Sequence, residues 1–274
     1  MSAAGDDEAD LTRKQRREQA RAQRKDLEQA EAASAVRRTR LTQLGIVAGI
    51  VVAIIIAVVI ATGGSSKKGI PKPSETGKVA AEVTALVGGI PQSANTLGDP
   101  KAPVTLQYFG DLECPVCKEF TLGALPSLIQ NYVRSGKLKI EYRSLETATR
   151  EPETFKSQQV AALAAGKQQR MWNFIETFYH EQGEEDSGYV TENYIKGLAQ
   201  QVPGLDLASW SAARNDPELA NIVTSDAQAA NAAGFNGTPS FLIGKTGGAS
   251  QKLEYSSLTD PSSFDAAIET LLKG

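Results

Sequence analysis

The chain is poor in sulfur and nearly devoid of histidine. Its 274 residues hold two cysteines, Cys114 and Cys117, and one histidine, His180. A disulfide-stapled scaffold is excluded, because such folds are short and dense in cysteine. The same count all but excludes a structural zinc site within one chain, since these residues fall short of the usual four Cys/His ligands. Charge of one sign is also lacking. Lys and Arg total 29 against 32 Asp and Glu, a net charge of -3. Broad electrostatic binding of nucleic acid is therefore not expected. Disorder throughout is excluded by a hydrophobic content of 41%, enough for a sizeable core. No internal repeat is present.

What is there first is one long apolar run. Leu44 to Ala61 reads LGIVAGIVVAIIIAVVIA, with no polar side chain. At about 1.5 Å per residue it spans roughly 27 Å, close to the thickness of a bilayer's hydrocarbon core. A buried core helix is rarely apolar on every face. A cleaved signal peptide has a shorter apolar stretch and no long charged lead before it. An uncleaved transmembrane signal anchor over 44–62 is expected. Arg37, Arg38 and Arg40 stand directly before the run, and Lys67 and Lys68 follow it. With the earlier cluster from Arg13 to Lys25, this predicts a single-pass cell-membrane protein with its N-terminus cytoplasmic. Residues 1–43 become a charged cytoplasmic tail. Gly45 and Gly49 form a GxxxG pattern, which arises easily by chance in so Gly- and Ala-rich a run.

Residues 63–89 are rich in Gly, Ser, Pro and Lys at their start and read as a linker, with a short helix over 79–87. One extracytoplasmic domain follows over 90–274. Val104 to Phe109 reads as a buried strand. A helix opens at Cys114–Pro115–Val116–Cys117 and runs towards Val133, with Gly123 and Pro126 kinking it. Leu138 to Tyr142 reads as a second strand. A helical insert over about 150–232 carries two apolar stripes, Trp172, Ile175, Phe178, Tyr179 and Val190, Tyr194, Ile195, Leu198. Ser240–Ile243 and Lys252–Tyr255 are short strands. A last helix covers Phe264–Leu272, with Asp260 or Ser262 as N-cap. This order implies an α/β fold with a small mixed sheet.

The chemistry centres on the CxxC pair. A thiol at a helix N-terminus meets free N–H groups and the positive end of the macrodipole, which favour the thiolate. Cys114 is the expected exposed nucleophile. Cys117, one turn inside, is the expected resolving thiol. Pro115 takes a first-turn position where its missing N–H costs nothing. Half of a zinc site shared with another chain and a small inert disulfide are the bland alternatives.

A second motif is Gly237–Thr238–Pro239–Ser240–Phe241. APVTLQYFGDLECPVC, residues 102–117, together with NGTPSFLIG, residues 236–244, resembles the DsbA-like branch of the thioredoxin superfamily. The resemblance covers about Ile90 to Gly274. It implies a thioredoxin-like fold with a helical insertion, here preceded by the transmembrane helix. Thr238 and Pro239 match the family's cis-proline position, where the backbone of Thr238 would pair with a substrate peptide like an added strand. The chain departs from the family at two places. Val116 stands where DsbA has His, and Tyr108 where many relatives have a buried Glu. Glu113, beside Cys114, is expected to disfavour the thiolate. His180 is expected at the surface, Trp172 and Phe178 in the core, and Glu184, Glu185 and Asp186 in a solvated loop.

The resemblance implies a membrane-tethered thiol–disulfide oxidoreductase acting outside the cytoplasm on cysteine-containing secreted or envelope proteins. It requires no cofactor and no metal. A membrane quinone-linked oxidase is the redox partner that the family implies. The alternatives are a reductase or isomerase of the same fold, and a thioredoxin-fold binding module without turnover.

Overall fold

The computed structural model describes residues 73–273. The expected tail and anchor, 1–43 and 44–62, lie outside the described residues. Among the described residues, no helix is long and apolar enough to cross a membrane.

Helix α1, Pro73–Val87, falls within the stretch expected as a linker. Its Val83 and Val87 are buried in the core. The Arg134 guanidinium donates to the carbonyls of Ala85, Leu86 and Gly88, groups that a helix end leaves unpaired. Two short strands follow, β1 (Gln92–Ser93) and β2 (Thr96–Leu97), joined through Ala94 at φ 50°. Such short strands carry too little alternation to be read from sequence.

Strand β3, Val104–Gly110, is buried along nearly its whole length. A strand covered on both faces reads as a continuous apolar run, as VTLQYF does. The chain then enters α2, Pro115–Leu122. It breaks at Gly123, where a Cβ would sit 2.5 Å from the Glu119 carbonyl and 2.8 Å from that of Leu258. The single kinked helix expected to Val133 is thus α2, then α3 (Ala124–Leu128), then a π-turn over Ile129–Val133. Pro126 lies in the first turn of α3, where no N–H is needed.

Strand β4, Leu138–Ser144, alternates buried and half-buried residues. The insert comprises α4 (Pro152–Gly166), α5 (Met171–Glu181), α6 (Glu192–Gln201), α7 (Leu207–Ala213) and α8 (Pro217–Ala232). Thr191, Asp206 and Asp216 cap α6, α7 and α8 with their side-chain oxygens, as N-cap residues do. Trp172, Ile175, Phe178 and Tyr179 are all buried. The chain closes with β5 (Ser240–Lys245), β6 (Ser250–Lys252) and α9 (Ser262–Lys273). The Asp260 carboxylate accepts from the Ser262 N–H at 3.0 Å. The last strand lies earlier than the expected 252–255. Leu253 is buried, and beyond it the chain leaves the sheet and brings the Tyr255 hydroxyl 3.2 Å from the Pro239 carbonyl.

The sheet order is β1-β2-β4-β3-β5-β6. Strand β3 pairs parallel to β4 and antiparallel to β5, which gives the mixed sheet. The β3–β5 register ends at Phe109 opposite Ser240. That register fixes where the chemistry sits. The residues just after β3 and just before β5 emerge at the same end of the sheet, so the CxxC and the Thr238–Pro239 loop meet.

Phe120 of α2 locks that helix to the sheet. Its ring lies 4.7 Å from Phe241, 5.0 Å from Tyr108 and 5.2 Å from Phe264. Phe120→Ala should destabilise the protein by about 3–5 kcal/mol. Urea unfolding of the variant against the parent chain measures this. A loss under about 1 kcal/mol would mean that the aromatic cluster does not hold α2.

Candidate active site

Cys114 is the N-cap of α2, in extended conformation at φ -70° and ψ 118°. Its sulfur accepts from the Cys117 N–H at 3.4 Å, satisfying a donor that the helix start leaves free. Pro115 opens the helix. Val116 projects outward, 43% exposed, whereas Cys114, expected to be exposed, is only 5% so because the Thr238–Pro239 loop covers it, and Cys117 is fully buried. Both cysteines are thiols.

The Cys114 thiol is drawn down to about 6. The hydrogen bond from the Cys117 thiol contributes most, followed by the Thr238 hydroxyl and the N–H groups of Cys117 and Val116. Burial opposes these and loses. Cys117 moves the other way. Full burial pushes its thiol well up, and the hydrogen bond and charge of Cys114 push it further. The two sulfurs are thus separated into an anionic and a neutral thiol by environment alone.

The Thr238–Pro239 bond is cis. The Thr238 carbonyl accepts from the Cys114 thiol at 3.5 Å. Thr238 therefore touches the sulfur in two opposed ways. Its carbonyl favours the thiol and its hydroxyl the thiolate. The hydroxyl in turn meets that of Thr147. All six residues singled out from sequence, Cys114, Pro115, Val116, Cys117, Thr238 and Pro239, lie in this one place.

Two expectations from sequence need correction. Glu113 was expected to disfavour the thiolate. The sulfur is stabilised nonetheless, because it draws on backbone N–H groups, the neighbouring thiol and Thr238, none of which depends on the side chains at 113 and 116. Glu113 itself is buried, and its carboxyl is pushed up by burial. It lines a cavity of about 310 Å³ with Thr149, Arg150 and Asp186. His180 is half-buried rather than at the surface, with burial lowering its pKa. It faces Glu82 of α1 at 3.9 Å.

Sequence reasoning missed the groups that brace the site from a distance. Gln182, at the end of α5, donates to the carbonyls of Leu112 at 2.8 Å and Cys114 at 3.1 Å. Tyr108 fills the position of the family's buried Glu. Its hydroxyl donates to Tyr179 at 3.1 Å, and that of Tyr179 to the Asp111 carbonyl at 3.1 Å. Asp111 is fully buried and holds the loop that carries Thr147. No local pattern marks these residues, since each acts on backbone remote in sequence or on a loop.

A thiol pair at a helix start, facing a cis-proline loop on a mixed sheet with a helical insert, defines the thioredoxin class. The thioredoxin family profile matches residues 92–262, and the chain belongs to that family. A relative from Bacillus anthracis, named Probable disulfide bond formation protein D, is 25% identical over 155 residues, covering 54% of this chain and 68% of the relative. Among solved structures, oxidised BdbD from Bacillus subtilis matches with a TM-score of 0.57 at 21% identity, over 69% of this chain and 99% of that one. DsbA2 from Pseudomonas aeruginosa matches with a TM-score of 0.51 at 24% identity, over 68% of this chain and 97% of that one. The structural likenesses support the DsbA-like fold with its insertion. The chain is a thiol–disulfide oxidoreductase.

Alkylation of the reduced protein by a short iodoacetamide pulse should follow one titration, with its midpoint near the value of about 6 given by the environment of Cys114. Below that pH the reaction should fade, as the thiolate takes up a proton. Cys117 should stay unmodified through neutral pH. Peptide mass spectrometry reads both sites, and equal labelling of the two cysteines would contradict the separation of their environments.

Proposed function

We propose that this protein introduces disulfides into cysteine-containing secreted or envelope proteins, working outside the cytoplasm from a membrane tether. The observation that carries the direction is the supported Cys114 sulfur. Groups that stabilise a thiolate stabilise the reduced enzyme, and so make its disulfide the stronger oxidant. A thiol of low pKa is also the better leaving group.

The reaction follows in two exchanges. A substrate thiolate attacks Cys114 of the Cys114–Cys117 disulfide. The Cys114–Cys117 bond breaks, a mixed disulfide forms, and Cys117 leaves and takes up a proton. A second substrate thiolate then attacks the substrate sulfur of the mixed disulfide. The substrate disulfide forms, and Cys114 leaves as the thiolate. Two electrons pass to the enzyme. Thr238 and Pro239 bind the substrate backbone beside Cys114, as an added strand. Pro115 and Val116 shape the exposed side of the motif. No cofactor takes part, because the sulfurs exchange the electrons themselves. A membrane quinone-linked oxidase returns the dithiol to the disulfide.

The tether rests on the sequence: the apolar run 44–61 and the arginines before it. The names of the relatives in Bacillus support the oxidative direction.

Cys117→Ala should accumulate mixed disulfides in cells, formed as the Cys114 thiolate attacks disulfides of secreted proteins and releases one of their sulfurs as a thiol, since the thiol that returns such adducts is gone, whereas Cys114→Ala should accumulate few. Non-reducing electrophoresis after acid quenching separates the two. Trapping by Cys114→Ala alone would reverse the roles of the thiols. The topology has its own test. Protease added to intact spheroplasts should remove the domain and spare residues 1–43. Cleavage confined to the N-terminal tail would overturn both the orientation and the extracytoplasmic role.

A further inference from the structure

Asp111 lies just beyond β3, three residues before Cys114, and its side chain is fully buried. Five donors converge on its carboxylate. One oxygen accepts from the Glu113 N–H at 3.1 Å and the Thr149 hydroxyl at 2.6 Å. The other accepts from three successive N–H groups, Thr147 at 3.0 Å, Ala148 at 2.9 Å and Thr149 at 2.9 Å. The Gln158 amide of α4 donates to the Thr149 hydroxyl oxygen at 2.7 Å, which ties the insert to the same point. The loop gathered in this way carries Thr147, whose hydroxyl meets that of Thr238. The Thr238 carbonyl accepts from the Cys114 thiol at 3.5 Å, and its hydroxyl helps draw that thiol down.

We propose that Asp111 is a positioning residue for the Cys114 sulfur, acting through the 147–149 backbone, the Thr147 hydroxyl and the Thr238 hydroxyl. The inference rests on the reading of Cys114 as the reactive thiol. With Thr147 as the donor of that pair, the Thr238 O–H is left for the sulfur, the side-chain bond that helps lower the Cys114 thiol. Each bond in such a chain polarises and strengthens the next. Asp111 makes the chain possible by fixing where Thr147 stands.

The sign of the effect separates this role from simple electrostatics. A nearby carboxylate repels a thiolate, so removing its charge alone would move the Cys114 titration midpoint down. Loss of positioning removes a hydrogen bond to the thiolate and moves it up. A purely architectural Asp111 would alter stability and leave the midpoint where it is.

The experiment uses the full chain with both cysteines, reduced, and reads the alkylation midpoint of Cys114 by peptide mass spectrometry. It also reads the equilibrium with glutathione. Asp111→Asn and Thr147→Val should each raise the midpoint by roughly one unit, the scale of a lost hydrogen bond to a charged group. Each should make the disulfide less oxidising by a corresponding factor of roughly ten. The double variant should shift no further than the larger single, because both break one chain. Thr147 serves Asp111 through its N–H and Thr238 through its hydroxyl, so Thr147→Val keeps the Asp111 contacts and decides the matter even where Asp111→Asn fails to fold. A midpoint that stays or falls in Thr147→Val, or shifts that add in the double variant, would overturn the positioning role. Failure of the underlying reading looks different: in the parent chain the low-midpoint thiol would then be Cys117.

Discussion

The structure turns on one acceptor. The first N–H groups of α2 have no partner within the helix, and the Cys114 sulfur takes one of them. A sulfur in that place is held by backbone that cannot be mutated away, and the Cys117 thiol, the Thr238 hydroxyl and those N–H groups pull it towards the thiolate. Its folded value of about 6 lies below that of an unfolded cysteine, about 8.5. A depressed acid group stabilises the folded reduced protein fully above the unfolded value. That contribution fades as pH falls through the window towards 6. The disulfide form has no such proton to lose. Folding therefore favours the reduced form at neutral pH, which is what the proposed flow of electrons from substrate thiols to the enzyme requires.

Much of this was legible in the sequence. VTLQYF is a core strand because its residues are buried on both faces. CPVC opens a helix because Pro115 suits a first turn. The stripe of Trp172, Ile175, Phe178 and Tyr179 is the buried face of α5. The meeting of CPVC with Thr238–Pro239 was legible only through family resemblance, since it depends on the antiparallel β3–β5 register. The braces were not legible. Asp111, Gln182 and Thr147 act through backbone groups or through residues distant in sequence, and such bonds leave no periodicity. The N–H groups of the helix start were expected to favour the thiolate, and they do. The larger support was not legible, because it comes from the partner thiol and from a threonine at the far end of the domain.

The insert does more than cover the sheet. Gln182 from α5 grips the carbonyls of Leu112 and Cys114, Gln158 from α4 reaches Thr149, and Tyr179 reaches the Asp111 carbonyl. The bonds from Gln182 and Tyr179 reach carbonyls in the segment between β3 and α2, and that from Gln158 reaches the loop that Asp111 gathers. The active-site segment is thus irregular backbone made rigid by side chains from the insert. That is the arrangement a site needs when its geometry sets a thiol's acidity.

The buried partner thiol then governs the fate of the mixed disulfide. Cys117 is pushed up by burial, and by the hydrogen bond and charge of Cys114. Once Cys114 sits in a mixed disulfide its charge is gone, and that part of the penalty disappears. Burial remains. Tyr108, Tyr142 and Tyr179 interact with the buried Cys117 thiol, and burial holds these phenols neutral as well, so they are poor bases for it. In the family, the position of Tyr108 often carries a carboxylate that could take the proton. Here Cys117 stays a weak attacker, because only the thiolate attacks a disulfide. Return of the mixed disulfide to free substrate and oxidised enzyme is slowed. In the proposed oxidative reaction, the second substrate thiol thereby gains time to complete the new disulfide.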